Sequence, residues 1–571
     1  MQRTEPPRSG SLSSLPVLVL DAQATAAQSA RGALLEIGWA QWTAGEARDL
    51  LATEVATRVV APPPGAEVPR AVARLTGLRT AEWARGTAPA LAWKGLLEAA
   101  GRTTARPGPA PAVVHFARFE EPFLRALHDR HGQGPFPLDL VCTHAIACRL
   151  LPELPRRTLR ALAGYFGAGV APLRRSADHV AATAFVWRHL VASLGEREDI
   201  VDLAGLHEWL ARPARRASRR WPLPRERRLQ LPDRPGVYRL LRTGGTVLYV
   251  GKAASLRQRV GSHFHSRAER AMDMLTQARD VSCSETETAL EAALLESDEI
   301  KRLAPPFNIA LSAAGRDVWF ATADLREVRP GPGPDHSTGP LVSPAALEAL
   351  SALRAVLAAG EPAPLAQRAR AVGVEPAYAP GPDPFADGLA RFVREHGPVA
   401  SARGLLRLGA RLWARRCVAA VERGPDGAVA EEPPTTSRPA WDAERVAHAL
   451  EETVVRAAHA VRRARWLCRL SESSLAWAEP GATRLRLLEI QGGTVTARMD
   501  LEPGAPVPVP SGHARTLADR RASFDVATFD RLRVLTTELR GLAAGGATVE
   551  VRLGPHARLS RHRLRTVLRW V

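Results

Sequence analysis

Between positions 211 and 230 the chain reads ARPARRASRRWPLPRERRLQ, with eight arginines, three prolines and a single acid in twenty residues. A core cannot take so many guanidinium groups, each costly to bury unpaired. The prolines also break any continuous helix or interior strand. The segment therefore predicts a connection, read equally as a solvated tether or as a strip lying against a phosphate backbone. It divides 571 residues, too many for one domain, into a part before and a part after.

The 45% hydrophobic and 24% charged composition is that of a globular chain. Its formal net charge of +19 favours polyanionic partners, nucleic acid ahead of a membrane surface. An arginine-biased composition explains Arg over Lys, but not the excess of Arg over acids. Cys142, Cys148, Cys283, Cys417 and Cys468 match no zinc spacing and predict reduced, mostly buried thiols. "LPVLVL" is too short for a secretory signal, and no apolar run approaches the roughly 20 residues of a membrane span.

Residues 1–14 read as a disordered leader. From 15 to 195, PVLVLDAQ, ARGALLEIGWAQW and PAVVHFARF predict strands, and LRRSADHVAATAFVWRHLVASL predicts a long helix. This alternation indicates an α/β domain. Residues 196–230 form the arginine-rich linker and 231–312 a compact unit. A Pro/Gly-rich break and a helix follow (313–360), then a C-terminal α+β region (361–571). Within that last region 360–390 and 423–440 read as loops, AERVAHALEETVVRAAHAVRRARWLCRL as a helix, and Gly492-Gly493 as a hairpin turn.

The unit at 231–312 gathers rare residues. The chain has four tyrosines, three lysines and one asparagine, and Tyr238, Tyr249, Lys252 and Asn308 all fall here. GVYRLLRTGGTVLYVG predicts a hairpin turning at Thr243-Gly244-Gly245, with the two tyrosines on neighbouring strands. SLRQRVGSHF predicts a helix with Arg259 and His263 on one face and Leu256 and Val260 on another. ETETALEAALLESDEIKRL predicts a second helix, with Glu296 on the stripe of Ala289, Ala292, Ala293 and Ile300. Taken singly, each has a plainer reading: Tyr238 a packing aromatic, Arg259 a surface charge, Glu296 a partner of Arg302.

Taken together, GVY at 236–238, YVG at 249–251, Lys252 and Arg259 three and ten residues past Tyr249, Glu296 twelve before Asn308, and PPFNIAL resemble the GIY-YIG nucleases of the bacterial excinuclease UvrC branch. The resemblance covers about 80 residues and implies a small α/β domain. It implies a one-metal phosphodiesterase, with Glu296 holding Mg²⁺ or Mn²⁺. It further implies Tyr249, or else Tyr238, as proton acceptor, Lys252 and Arg259 on the phosphate, and Asn308 orienting a strand or a water. One position departs: His263 stands where that branch usually has Tyr, and a histidine there can donate to phosphate or shuttle a proton.

The N-terminal region resembles DEDD-type 3′–5′ exonucleases, related to the proofreading subunit of DNA polymerase III, and this implies an RNase H-like fold. Asp21 matches the first motif, but Gln23 replaces its Glu. Glu120 replaces the Asp of the second motif. Asp178 stands as the third-motif metal ligand, while Leu173 occupies the place of the catalytic His. Arg175 cannot act as that base, and His179 reads as a helix-surface residue or a substitute base. The resemblance thus implies a degenerate site. After residue 312 only STGPLVSPAALEALSALRAVL is similar to the excinuclease extension. Neither the RNase H-like domain of the second incision nor a helix-hairpin-helix pattern is evident. The expectation is a cytoplasmic, nucleoid-associated endonuclease that nicks one strand in DNA repair, with DNA and a damage-recognition protein as partners. The alternatives are a bifunctional chain with an active exonuclease, and a DNA-binding scaffold.

Overall fold

The computed structural model describes the chain apart from residues 1–9, 104–107, 169–172, 214–216, 313–314, 360–362, 400, 423–439, 479–481, 503 and 570. It divides into two compact units. One comprises Met1–Ala289 with Pro305–Ile309, the other Leu290–Ala304 with Ala310–Val571.

The first unit opens with a five-stranded sheet in the order β3-β2-β1-β4-β5. The strands are β1 (Pro16–Ala24), β2 (Leu34–Thr43), β3 (Ala56–Val59), β4 (Ala110–Val114) and β5 (Leu138–Cys142). β1 runs antiparallel to β2 and parallel to β4, and β4 is parallel to β5. β1 is central and buried on both faces, which is why its sequence reads as a continuous apolar run. Alternate residues feed opposite layers. Leu18 and Leu20 pack with Trp93, Leu96 and Leu124. Val17 and Val19 pack with Val180, Ala184 and Trp187 of the long helix Ser176–Glu198. This is the RNase H-like arrangement expected from the sequence. The predicted leader ends earlier than residue 14: Leu12 is buried in this core, and its N–H donates to the Val201 carbonyl at 2.6 Å. The rest of the leader, residues 1–9, lies outside the described residues.

In the same unit β6 (Gly236–Leu241), β7 (Val247–Ala253) and β8 (Asp280–Glu285) form an antiparallel sheet in the order β7-β6-β8. The helices Leu256–His263 and Glu269–Gln277 accompany it. The arginine-rich linker is not wholly a tether. Leu223 is fully buried in this domain's core, Trp221 packs edge-on against Phe264, and the Arg228 guanidinium sits 3.9 Å over the Phe264 ring.

The two domains of the unit also meet directly. Thr158 Oγ1 donates to Asp273 at 2.9 Å, Arg160 lies 4.4 Å over Phe307, and Arg279 lies 4.1 Å over Tyr165. Gly164 abuts Gln277 so closely that a Cβ would fall 1.8 Å from its amide oxygen.

The second unit combines a small sheet, β9 (Trp319–Ala321), β10 (Val328–Pro330) and β11 (Thr338–Leu341), with helices including Ala345–Ala359, Pro382–His396, Ala402–Glu422 and Ala443–Leu470. A five-stranded antiparallel sheet follows in the order β14-β13-β12-β15-β16. Its strands are β12 (Ser473–Ala478), β13 (Leu485–Gln491), β14 (Thr494–Leu501), β15 (Thr548–Arg552) and β16 (Arg558–Ser560). The hairpin turns at Gly492-Gly493, both with positive φ, as expected. Residues 360–390, expected as loop, contain the helix Leu365–Ala371 and the start of Pro382–His396. Proline is compatible with a helix's first turn, where its missing N–H costs nothing. Most of the expected loop at 423–440 lies outside the described residues. The cysteines are free, but only Cys468 is fully buried; the other four are partly exposed. No helix among the described residues is long and apolar enough to cross a membrane.

Candidate active site

The β6–β7 hairpin sets the first part of the site. Thr243–Gly245 makes its turn, with Gly244 and Gly245 at φ of 79° and 77°. The register pairs Tyr238 with Gly251 and Leu240 with Tyr249. A Cβ on Gly251 would meet the Tyr238 hydroxyl at 2.5 Å and Tyr249 at 2.8 Å, so both aromatic side chains cross the space that this glycine leaves. Gly236 serves similarly on the other side, since a Cβ there would lie 2.3 Å from the Ser284 carbonyl.

The two tyrosine rings stand 6.1 Å apart, and His263 completes a triangle at 5.6 Å from Tyr238 and 5.7 Å from Tyr249. His263 arrives from the end of the helix Leu256–His263, whose N-terminus Ser255 caps and whose Leu256 and Val260 are fully buried beneath it. Tyr238, fully buried, and His263 Nε2 are joined by a 2.5 Å hydrogen bond. Burial first, and then the nearby Arg259 charge, push His263 down to about 4. The imidazole is therefore neutral at ordinary pH, and its Nε2 shares one proton with the Tyr238 hydroxyl.

Lys252 and Arg259 line one open cavity of about 560 Å³ with Ser255, Gln258 and Ser262. Asn308 holds the strand behind them. Its Oδ1 accepts from the Val250 N–H and its Nδ2 donates to the Val250 carbonyl, both at 2.9 Å. One side chain thus substitutes for a neighbouring strand at the residue between Tyr249 and Gly251. These two bonds fix the β7 backbone at Val250.

The exonuclease-like residues lie in the other domain; Gln23 and Asp178 are bonded within the fold, whereas Asp21 Oδ2 and Glu120 Oε2 are buried without a hydrogen-bond partner among the described residues. Gln23 donates to the Arg174 carbonyl at 2.9 Å. Asp178 accepts from the N–H groups of Arg174 and Arg175 at 3.1 and 3.0 Å, capping its own helix. Glu120 is 2% exposed, and its carboxyl is raised well above the usual range by burial and then by Asp21 and Cys142. His179 is not a plain surface residue, because its Nδ1 lies 3.2 Å from Asp21. Burial lowers its basicity, but the Asp21 charge and hydrogen bond outweigh that, and the net shift is upward. Arg175 binds Glu36 through two nitrogens at 2.6–3.2 Å and Glu82 at 2.9 Å. Glu36 was not anticipated from sequence, although the strand register places it directly opposite Gln23.

A family model described as the UvrC-like GIY-YIG domain matches residues 234–309. The chain is also 32% identical over 301 residues to a Mycobacterium tuberculosis protein named as a bifunctional exonuclease/endonuclease, covering 49% of this chain and 43% of that one. It is 48% identical over 84 residues to the UvrABC system protein C of Rhizobium etli, covering 14% of this chain and 12% of that one. A solved GIY-YIG N-terminal endonuclease domain of UvrC from Thermotoga maritima, bound to magnesium as its catalytic cation, is 29% identical. It covers 15% of this chain and 94% of that one, with a TM-score of 0.14. The chain spans less than half the length of the two curated relatives.

Glu296 belongs to the helix Ala289–Leu303, which starts later than the sequence pattern indicates and lies in the second unit from Leu290 onward. It is half-buried, on a stripe whose Ala292, Ala293 and Ile300 are buried. Its neighbours serve cations of the second unit: Glu291 lies 2.9 Å from Arg486, Asp298 2.8 Å from Arg531, and Glu299 4.0 Å from Arg302. Arg302 thus pairs with Glu299. A half-buried carboxylate is the hard oxygen donor that Mg²⁺ or Mn²⁺ takes. Among the described residues Glu296 belongs to no cluster of three metal-ligating side chains.

Proposed function

We propose that the GIY-YIG domain of this chain is a metal-dependent endonuclease that nicks one strand of DNA during repair. The observation that carries the reading is the Tyr238–Tyr249–His263 triangle, whose Tyr249 shares β7 with Lys252, beside the cavity that Lys252 and Arg259 line together. A hydrolytic step needs a proton acceptor and phosphate-holding cations close together.

In this reading Glu296 holds Mg²⁺ or Mn²⁺, which when bound polarises the scissile phosphate and offsets charge on the leaving oxygen. Lys252 and Arg259 hold the phosphate oxygens and stabilise the charge that grows on them. Tyr249, half-buried, takes the proton of the attacking water at its phenolic oxygen. Tyr238 is the weaker choice for that role because its own proton is committed to His263. His263 keeps Tyr238 oriented, and Asn308 holds the β7 backbone that aims Tyr249 and Lys252. The nuclease domain extends over 231–312 and the degenerate exonuclease-like domain over 15–195. The latter grips DNA or a damage-recognition partner without cutting, since Gln23 and Asp178 are bonded within the fold. The setting is cytoplasmic, on the nucleoid. The Asp21–His179 contact favours the second reading, a live exonuclease.

Purified protein incubated with Mg²⁺ or Mn²⁺ and end-labelled plain, nicked and damaged duplexes separates these. Discrete nicks that fall at least about a thousandfold in Glu296→Ala, and survive in Asp21→Ala, are expected. Ladders that vanish in Asp21→Ala would establish the exonuclease. No cleavage by the wild type under any condition sinks the nuclease reading in favour of a scaffold.

A further inference from the structure

The second unit carries a charged face that the reaction above does not use. Its residues 402–421, 453–470 and 561–571 hold fourteen arginines and no aspartate or glutamate, in a chain with 59 acids. On the helix Ala402–Glu422, Arg403, Arg407, Arg411 and Arg415 recur every fourth residue, and all four are exposed. They form one ridge about 18 Å long, roughly the axial length of five base pairs. On the helix Ala443–Leu470, the exposed Arg462, Arg465 and Arg469 make a second row. Gly409 lets the helices approach, since a Cβ there would lie 2.0 Å from the Val454 carbonyl oxygen. Arg403, Arg407, Arg462, Arg465 and Arg469 consequently line one cavity of about 780 Å³.

Like charges held together in this way cost stability unless an anion compensates them. Among the described residues no ion pair with an acid engages Arg403, Arg407, Arg465 or Arg469, whereas Arg416, farther along, pairs with Glu451 at 3.5 Å and with Glu452. The crowding reaches neighbouring groups. His459, packed 5.4 Å from Trp413, is held below its usual value by burial and then by Arg463, Arg540 and Arg462. The aromatic that lines the cavity, Trp466, is 4% exposed and offers bases no platform for stacking. The face therefore matches phosphates at helical spacing and leaves bases unread.

We infer that this arginine face binds the phosphate backbone of duplex DNA independently of sequence. The identity of the polyanion rests on the nuclease reading above; the cationic face does not. Free phosphate shares the chemistry and forms a separate arm of the test. The full-length chain, with Glu296→Ala to prevent cutting and chelator present, is titrated with a labelled 30-base-pair duplex over a salt series. Arg403→Gln/Arg465→Gln/Arg469→Gln is expected to weaken binding about tenfold or more, and to lower the log–log salt slope by roughly 2 to 3. The corresponding lysine triple variant, which keeps the charge, is expected to retain binding. Wild-type affinity and slope in the glutamine variant, with an unchanged thermal melt, would overturn the inference. So would equal binding of a single strand, or displacement of the duplex by millimolar inorganic phosphate at constant ionic strength. Because binding is read without cleavage, a wild type that binds through this face but never cuts refutes only the nuclease reading.

Discussion

Two sets of polar residues lie within the first folded unit, and they are used differently. In the GIY-YIG domain Lys252 and Arg259 border open space, and a hydrogen bond inside the aromatic triangle joins Tyr238 to His263. In the exonuclease-like domain Gln23 and Asp178 are bonded to backbone, Arg175 is held by Glu36, and Glu120 is sealed in the core. The difference shows in the hydrogen-bond partners more than in residue identity, since a capping Asp and a metal-binding Asp are the same letter.

The largest expected effect on this contrast is at Lys252. Lys252→Ala is expected to slow nicking by about 10² to 10³. Lys252→Arg should recover only part of that, because a planar fork does not replace a compact ammonium. Single-turnover rates on a nicked-product assay measure both. Full activity in the Ala variant would remove the functional side of the comparison.

A smaller effect is expected at His263. His263→Phe leaves the buried Tyr238 hydroxyl without its acceptor, and a rate loss of about 10- to 100-fold is expected. His263→Tyr, the residue usual in the UvrC branch, should lose less. His263 sits near 4 in the fold, below its ordinary value of 6.5. Its contribution to stability is therefore complete above about pH 6.5 and is lost as pH falls toward 4. The acid limb of the rate profile should accordingly show no break near 6.5 from this residue. Denaturation of His263→Phe should depend less on pH between about 6.5 and 4 than that of the wild type.

The smallest effect is expected on the exonuclease-like side. Glu120→Gln replaces a buried carboxyl, which burial drives toward its neutral form, with a neutral group of similar shape, and the nicking rate should not change. The Glu120 value is raised in the fold, so its favourable contribution is present below the unfolded value and is lost as pH rises through the folded one. Melting curves of Glu120→Gln should therefore fall less than those of the wild type as pH rises from acid toward neutral. A lost exonuclease activity in this variant would show that the two sites are more alike than their bonding indicates.

The sequence by itself singled out the candidate nuclease residues, because Tyr, Lys and Asn are rare in this chain and the spacings run along one hairpin and two helices. It also located the RNase H-like strands, since β1 is buried on both faces and must read as a continuous apolar run. Only the tertiary structure decided what several of those residues do. That Asn308 clasps Val250 across fifty-eight positions, that His263 bonds Tyr238, and that Asp178 caps its own helix depends on distances no linear pattern carries. The arginine helix Ala402–Glu422 and the packed half of the linker were likewise beyond the sequence pattern. An abundance of arginine looks alike whether the side chains meet solvent, an aromatic ring or one another, and only the packing of Gly409 against Val454 brings two rows of them into one cavity.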